Sequence, residues 1–150
     1  MIRPPKDLFF VSVQVLLLGL FLFCIPDINF EIPMWLRWAG MAVFVTGVAV
    51  IVAGFVTLEK NLSAFPTPKR SSRLVQSGIY KSIRHPIYTG ILFMASGLAF
   101  YSECTWRFIV FLSLLILFRF KAAYEEKLLT QRFSGYTEYK KTSGMFLPRF

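Results

Sequence analysis

The only histidine of the 150 residues stands at position 85, between Arg84 and Pro86. Proline suits the first turn of a helix, where its missing N–H would be an orphan donor in any case. The apolar helix predicted from about Ile87 therefore starts with an imidazole, a guanidinium and free backbone N–H groups gathered at the positive end of its dipole, an arrangement that attracts anions. Tyr80, Tyr88 and Gly90 flank the same stretch, 74–90, which concentrates polar chemistry at the threshold of a membrane-length apolar run. A blander use of these residues has Lys81 and Arg84 snorkelling to an interface while His85 only caps the helix. Taken alone, the stretch leaves both uses open.

A second pair of chemical groups, Lys121 and Glu125, lies four residues apart in a segment of good helix formers, 119–133. Side chains at that spacing share a helix face, and such a pair is usually an exposed salt bridge of a few tenths of a kcal/mol. Glu126, its neighbour, points about 100° away, so only one of the two glutamates shares the face of Lys121. Here the pair emerges at the same end of the chain's apolar runs as Arg84 and His85, which gives it a ligand-facing alternative.

The elements that position these groups are membrane helices. A hydrophobic content of 55%, 17 Phe and a mean hydropathy of +0.56 do not describe a soluble domain. Four spans are predicted at about 8–25, 34–58, 87–101 and 106–124, the third short and the fourth running on as a helix beyond the bilayer. Fifteen of the 17 Lys and Arg residues precede the first span, lie between the second and third, or follow Phe118; Arg37 and Arg107 lie on the other side. By the positive-inside rule both termini and the middle loop are cytoplasmic. The net charge of +9 is thus a topology signal first and an attraction to anionic membrane lipid second. It does not indicate nucleic acid, because the basic residues flank spans and form no separate basic domain. A signal peptide does not fit the N-terminus, since the apolar run is long and leads to Pro26-Asp27 where a small-residue cleavage site would be needed. Cys24 and Cys104 are too few for a metal cluster; both fall near the outer face, as a disulfide or as two separate thiols.

Along the chain, span one offers no visible chemistry. Span two carries Gly40, Gly47 and Gly54, a spacing of seven that lines small residues on one face and permits close helix approach. In the loop 59–82, Pro66-Thr67-Pro68 forbids regular helix, and an extended crossing over a site and a solvated linker are both compatible with its composition. Residues 102–105 make a tight hairpin of spans three and four. The aromatic and basic end from Phe146 suits the membrane interface.

Taken in order, Asn61-Leu62, Pro66-x-Pro68, Leu74-Val75-x-x-Gly78-x-Tyr80, Arg84-His85-Pro86-x-Tyr88-x-Gly90, Glu125-Glu126-x-x-Leu129 and Tyr136-x-x-Tyr139 resemble the isoprenylcysteine carboxyl methyltransferase family and its prokaryotic relatives. Phospholipid methyltransferases are similar at greater distance. The resemblance covers 61–150 and implies one all-α integral membrane domain of four transmembrane helices. Its cytoplasmic cofactor site is formed by the loop before span three and a C-terminal helix. It further implies that S-adenosyl-L-methionine binds Ser72, Arg73, Leu74, Val75, Tyr80, His85, Pro86, Ile87, Tyr88 and Glu125, and that the acceptor, lipophilic or small and carboxylate-bearing, meets Lys121 with Arg119 beside it. Two departures from the pattern are the lysine at 121, where arginine is usual, and the absence of a polar cofactor contact near Phe65. No metal is implied. Sterol-reductase C-terminal regions share a similar Arg-His-Pro-x-Tyr-x-Gly motif and bind NADPH, and a non-catalytic four-helix membrane protein is a third reading. Methyl transfer to an anionic acceptor would need no base; an amine would have to lose a proton, with Glu126 the available base.

Overall fold

The computed structural model describes residues 4–23, 31–58, 63–68 and 73–149. It consists of five α-helices: α1 (Pro5–Leu22), α2 (Met34–Leu58), α3 (Pro86–Tyr101), α4 (Thr105–Arg132) and α5 (Tyr136–Thr142), with a short 3-10 turn at Gly78–Lys81. The all-helical expectation holds: among the described residues the only β-type pairing is an isolated bridge between Ile83 and Gly144. Cys104 is fully buried, and its expected alternative pairing with Cys24 lies outside the described residues, as do Asn61, Leu62 and Ser72.

α1 and α2 are each long and apolar enough to cross a bilayer. α3 spans 16 residues, about 24 Å, and α4, at 28 residues, is about 42 Å long and carries Arg107, Arg119 and Lys121 within its apolar stretch. α4 is unbroken from the hairpin at 102–104 through Glu125 and Glu126, as its run of helix formers predicts. Large apolar side chains stand exposed along α1, α2 and α4, among them Phe9, Leu16, Val45, Val52, Ile116 and Phe120. Faces of that kind call for an apolar surrounding.

The α2–α3 contact is built on backbone. The only buried residues of α2 are the three glycines spaced by seven, Gly40, Gly47 and Gly54. α3 answers with Gly97 and Gly90, also seven apart, so the antiparallel helices meet glycine to glycine. A Cβ on Gly97 would fall 2.4 Å from Gly40 O, and one on Gly90 2.7 Å from Gly47 O. Across the bundle, Phe21, Leu92, Ala95, Val110, Leu114 and Phe118 form the buried cluster between α1, α3 and α4. Trp106 Nε1 donates to Leu20 O at 2.9 Å and ties the start of α4 to the end of α1.

We expect Gly97→Ala to destabilise the protein by about 1–3 kcal/mol, because the clash is with main chain that cannot swing aside. Gly19→Ala, on α1 with nothing within 4 Å of the new methyl, is expected to be neutral or slightly stabilising. Unfolding midpoints of the two variants in detergent check the contrast, and equal midpoints would contradict the seam.

Candidate functional site

A cavity of about 350 Å³ opens at the end of the bundle where α2 stops and α3 begins. α3 starts there because His85 is its N-cap residue and Pro86 its first helical residue. Tyr88 and Ile87 follow on the cavity side, whereas Pro86 is fully buried and shapes the helix start without lining the space. The rings of His85 and Tyr88 are stacked at 5.3 Å and those of Tyr88 and Phe118 at 4.7 Å, with interplanar angles of 2° and 7°. This ladder fixes the Tyr88 hydroxyl, which donates to Glu125 Oε2 at 3.0 Å. His85 Nδ1 is 3.8 Å from the same oxygen.

The two adjacent glutamates of α4 have separate fates. Glu125 lines the cavity and keeps 25% of its side-chain surface exposed. Desolvation among the cavity walls raises its carboxyl above the ordinary value; His85, the Tyr88 hydroxyl and Lys121 work against that rise. Glu126 is 4% exposed and points at two cations, Arg84 Nε at 2.7 Å and Lys140 Nζ at 2.8 Å, with His85 Nε2 at 3.4 Å beside them. Burial alone would raise its carboxyl, but these partners outweigh burial and hold it at about 2. The His85 Nε2 contact lacks hydrogen-bond geometry, so that buried nitrogen is left without a hydrogen-bond partner.

Arg84 therefore does not snorkel. Its guanidinium, 8% exposed, bonds Glu126 and also donates to the carbonyls of Lys140 and Ser143. The expected interfacial tail is drawn into the same assembly. Arg84 N donates to Gly144 O at 2.8 Å, His85 N to Met145 O at 3.1 Å, and Thr89 Oγ1 to Phe146 O at 2.7 Å. The physical reason is that N–H groups ahead of a helix start need acceptors once buried, and residues 144–146 supply them. Tyr139 OH donates to Tyr80 O, which pins α5 to the 3-10 turn. Burial pushes the Tyr139 hydroxyl up to about 12.

Of the residues implied by the resemblance, Arg73, Leu74, Val75, Tyr80, His85, Ile87, Tyr88, Lys121 and Glu125 all line this one cavity. Ser72 lies outside the described residues. Arg119 is not brought there: it is exposed, lines a separate groove with Leu115, Ile116, Phe120 and Phe146, and its Nη1 contacts Met145 Sδ. Of the two uses open to Lys121 and Glu125, the mutual salt bridge does not form. Lys121 Nζ instead donates to Gln14 Oε1 at 2.6 Å and Ala64 O at 3.0 Å and sits 5.1 Å from the centre of the Tyr88 ring. Loop residues 63–66 do cross the site, and Ser63, whose hydroxyl bonds Phe65 N at 3.2 Å, brings a polar group to the wall near Phe65.

Sequence reasoning missed α1. Gln14 lines the cavity, and Asp7, fully buried one heptad earlier, accepts from Thr67 N at 3.1 Å and so anchors the loop. The available signal was the seven-residue spacing of these two polar residues in an otherwise apolar run, continued by buried Phe21.

Apolar helices thus close over a cavity that holds a carboxylate and an ammonium at its wall. A family model for phospholipid methyltransferases matches residues 35–135, about two thirds of the chain. The chain belongs to the phospholipid methyltransferase family, and it is a membrane protein of the same integral methyltransferase type as the isoprenylcysteine carboxyl methyltransferases that its motifs resemble. No curated protein matches the sequence significantly. The family's named chemistry is methyl transfer. The match stops short of α1 and α5 at either side.

The Glu126 cluster sets a pH dependence. A carboxyl held at about 2 in the fold against an ordinary 4.5 contributes its full stability above about pH 4.5 and loses it as pH falls from there toward 2. We expect Glu126→Gln to cost about 3 kcal/mol at pH 7. The stability gap between variant and wild type should close on acidification through that window, as followed by chemical unfolding at stepped pH.

Proposed function

We propose that the protein transfers a methyl group from S-adenosyl-L-methionine to a lipophilic or small acceptor at the cytoplasmic membrane face. The observation that carries this reading is the apolar cavity with Glu125 and Lys121 on successive turns of α4 facing it. The residues present suit that cofactor. Leu74, Val75 and Leu129 offer an apolar wall for a purine; Glu125, aimed by Tyr88, accepts hydrogen bonds from hydroxyl or ammonium groups. His85 lines the cavity beside Glu125, with Nδ1 3.8 Å from Glu125 Oε2, and Arg73 brings a further cation to the same wall. When bound, S-adenosyl-L-methionine supplies an electrophilic methyl group on a sulfonium.

The chain's own contribution is binding, orientation and exclusion of water. Methyl transfer from a cation to an anion destroys charge, so walls that solvate separated ions poorly favour it. Proximity then carries most of the acceleration. Glu126 is no base for an amine acceptor: its two oxygens are committed to Arg84 and Lys140, and it stays ionised down to about pH 2. An acceptor that needs no deprotonation, such as a carboxylate, fits that arrangement. Lys121, at the cavity wall, is the acceptor-side cation in this reading.

In the same proposal all four long helices cross the bilayer and both termini are cytoplasmic, on the strength of the basic-residue asymmetry. The length of α4 allows a crossing followed by a cytoplasmic extension that carries Glu125 and Glu126.

Calorimetric titration of purified protein with S-adenosyl-L-methionine, with NADPH as comparison, tests the cofactor. We expect Glu125→Gln to weaken S-adenosyl-L-methionine by about 1–3 kcal/mol through loss of a charge-assisted hydrogen bond; unchanged affinity would remove Glu125 from the site. A reporter fused after Phe150 should be active on the cytoplasmic side alone, and activity outside would overturn the topology.

A further inference from the structure

The ammonium of Lys121 is buried, 1% of the residue being exposed, yet no carboxylate of the described residues forms an ion pair with it. The nearby carboxylates act on it only at a distance: Glu125 takes the Tyr88 hydroxyl, and Asp7 takes the Thr67 amide through Oδ2 while its buried Oδ1 has no hydrogen-bond partner among the described residues. What holds Lys121 is neutral. Gln14 Oε1 at 2.6 Å and Ala64 O at 3.0 Å accept two of its three N–H bonds, and the Tyr88 ring face supplies a cation–π contact. The third N–H has no partner among the described residues.

A buried cation is ordinarily neutralised by a carboxylate in direct contact, because leaving it unpaired is costly. A glutamate at position 14 would do this with almost the same shape as glutamine. The amide holds the ammonium in place without cancelling its charge, at a point where both side chains line the cavity. Gln14 also belongs to α1, outside the 35–135 region that defines the family.

We propose that Gln14 is a positioning residue that sets acceptor class: it aims Lys121 while leaving its positive charge for an anionic acceptor headgroup, carboxylate or phosphate. This rests on the methyltransferase reading for the word acceptor, but the anion selectivity is measurable by binding alone. A purely structural Gln14 would tolerate glutamate, which keeps the hydrogen bond and adds an ion pair. A charge-preserving Gln14 would not.

The test uses three probes in detergent micelles, each titrated against wild type, Gln14→Glu and Gln14→Leu: oleate, phosphatidic acid with oleoyl chains, and oleyl alcohol as the neutral control. Wild type should bind at least one anionic probe more tightly than the alcohol, and which one does so separates a carboxylate from a phosphate headgroup. For that probe Gln14→Glu should lose about tenfold to a hundredfold in affinity, the range set by a hydrogen bond to a charged group. Its affinity for oleyl alcohol should stay within twofold and its unfolding midpoint should not fall. Gln14→Leu, which keeps the charge but frees the ammonium, should show a smaller selective loss. S-adenosyl-L-methionine is titrated separately against wild type, and its failure to bind would sink the functional reading while leaving the anion test intact. The proposal is overturned if Gln14→Glu binds the anionic probes as wild type does, if affinity for the alcohol falls in parallel, or if wild type prefers neither anion.

Discussion

The buried contact between Arg84 and Glu126, 2.7 Å long, is the constraint on which the site's geometry depends. It joins the residue before the α3 N-cap to the C-terminal part of α4, and through Lys140 and the carbonyl of Ser143 it draws in α5 and the segment behind it. Two charges removed from water in this way persist only when the remaining donors and acceptors are also satisfied. Here they are, with main-chain carbonyls completing the guanidinium. Because His85 follows Arg84 and Glu125 precedes Glu126, fixing the inner pair sets the outer pair across the cavity. The outer residues are then free to meet a ligand.

The same division of labour explains why the tyrosines matter. Tyr88 is held by stacking on both sides, so its hydroxyl reaches Glu125 from a ring that cannot rotate away. Orientation by packing and orientation by hydrogen bond converge on one carboxylate. A site built in this manner is arranged before any ligand arrives, which lowers the entropy lost on binding.

Much of this was legible in the sequence, for reasons specific to each residue. The glycines at 40, 47 and 54 announce a packing face because spacing by seven is intrinsic to a helix, and the partner glycines lie opposite. His85, Tyr88 and Glu125 were legible as an ordered motif. Gln14 and Asp7 were not read as site residues: their spacing of seven marks a shared helix face, but it does not record their partners, Lys121 and Thr67, which are 107 and 60 residues away. Lys121 and Glu125 were read as a pair from their spacing of four; the neutral acceptors that displace the pairing come from other elements. Arg119 carried the right chemistry for a substrate contact on the wrong side of α4. The tail from 144 was read from composition, which registers its surface affinity but not the unmet backbone donors of residues 84 and 85 that capture it.

The glycine seam also governs the mechanics of the molecule. With main chain touching main chain, α2 and α3 leave no room between them for even one added methyl group at Gly47, Gly90 or Gly97. α1 is attached differently, through side chains on α4: the Trp106 indole at one end and the Lys121 ammonium partway along. Side-chain attachments yield to rotamer changes that a backbone seam does not permit. α2 and α3 thus meet through main chain, whereas α1, which bears Gln14 at the cavity wall, is held by interdigitated side chains around Phe21 and by the Asp7 contact to Thr67.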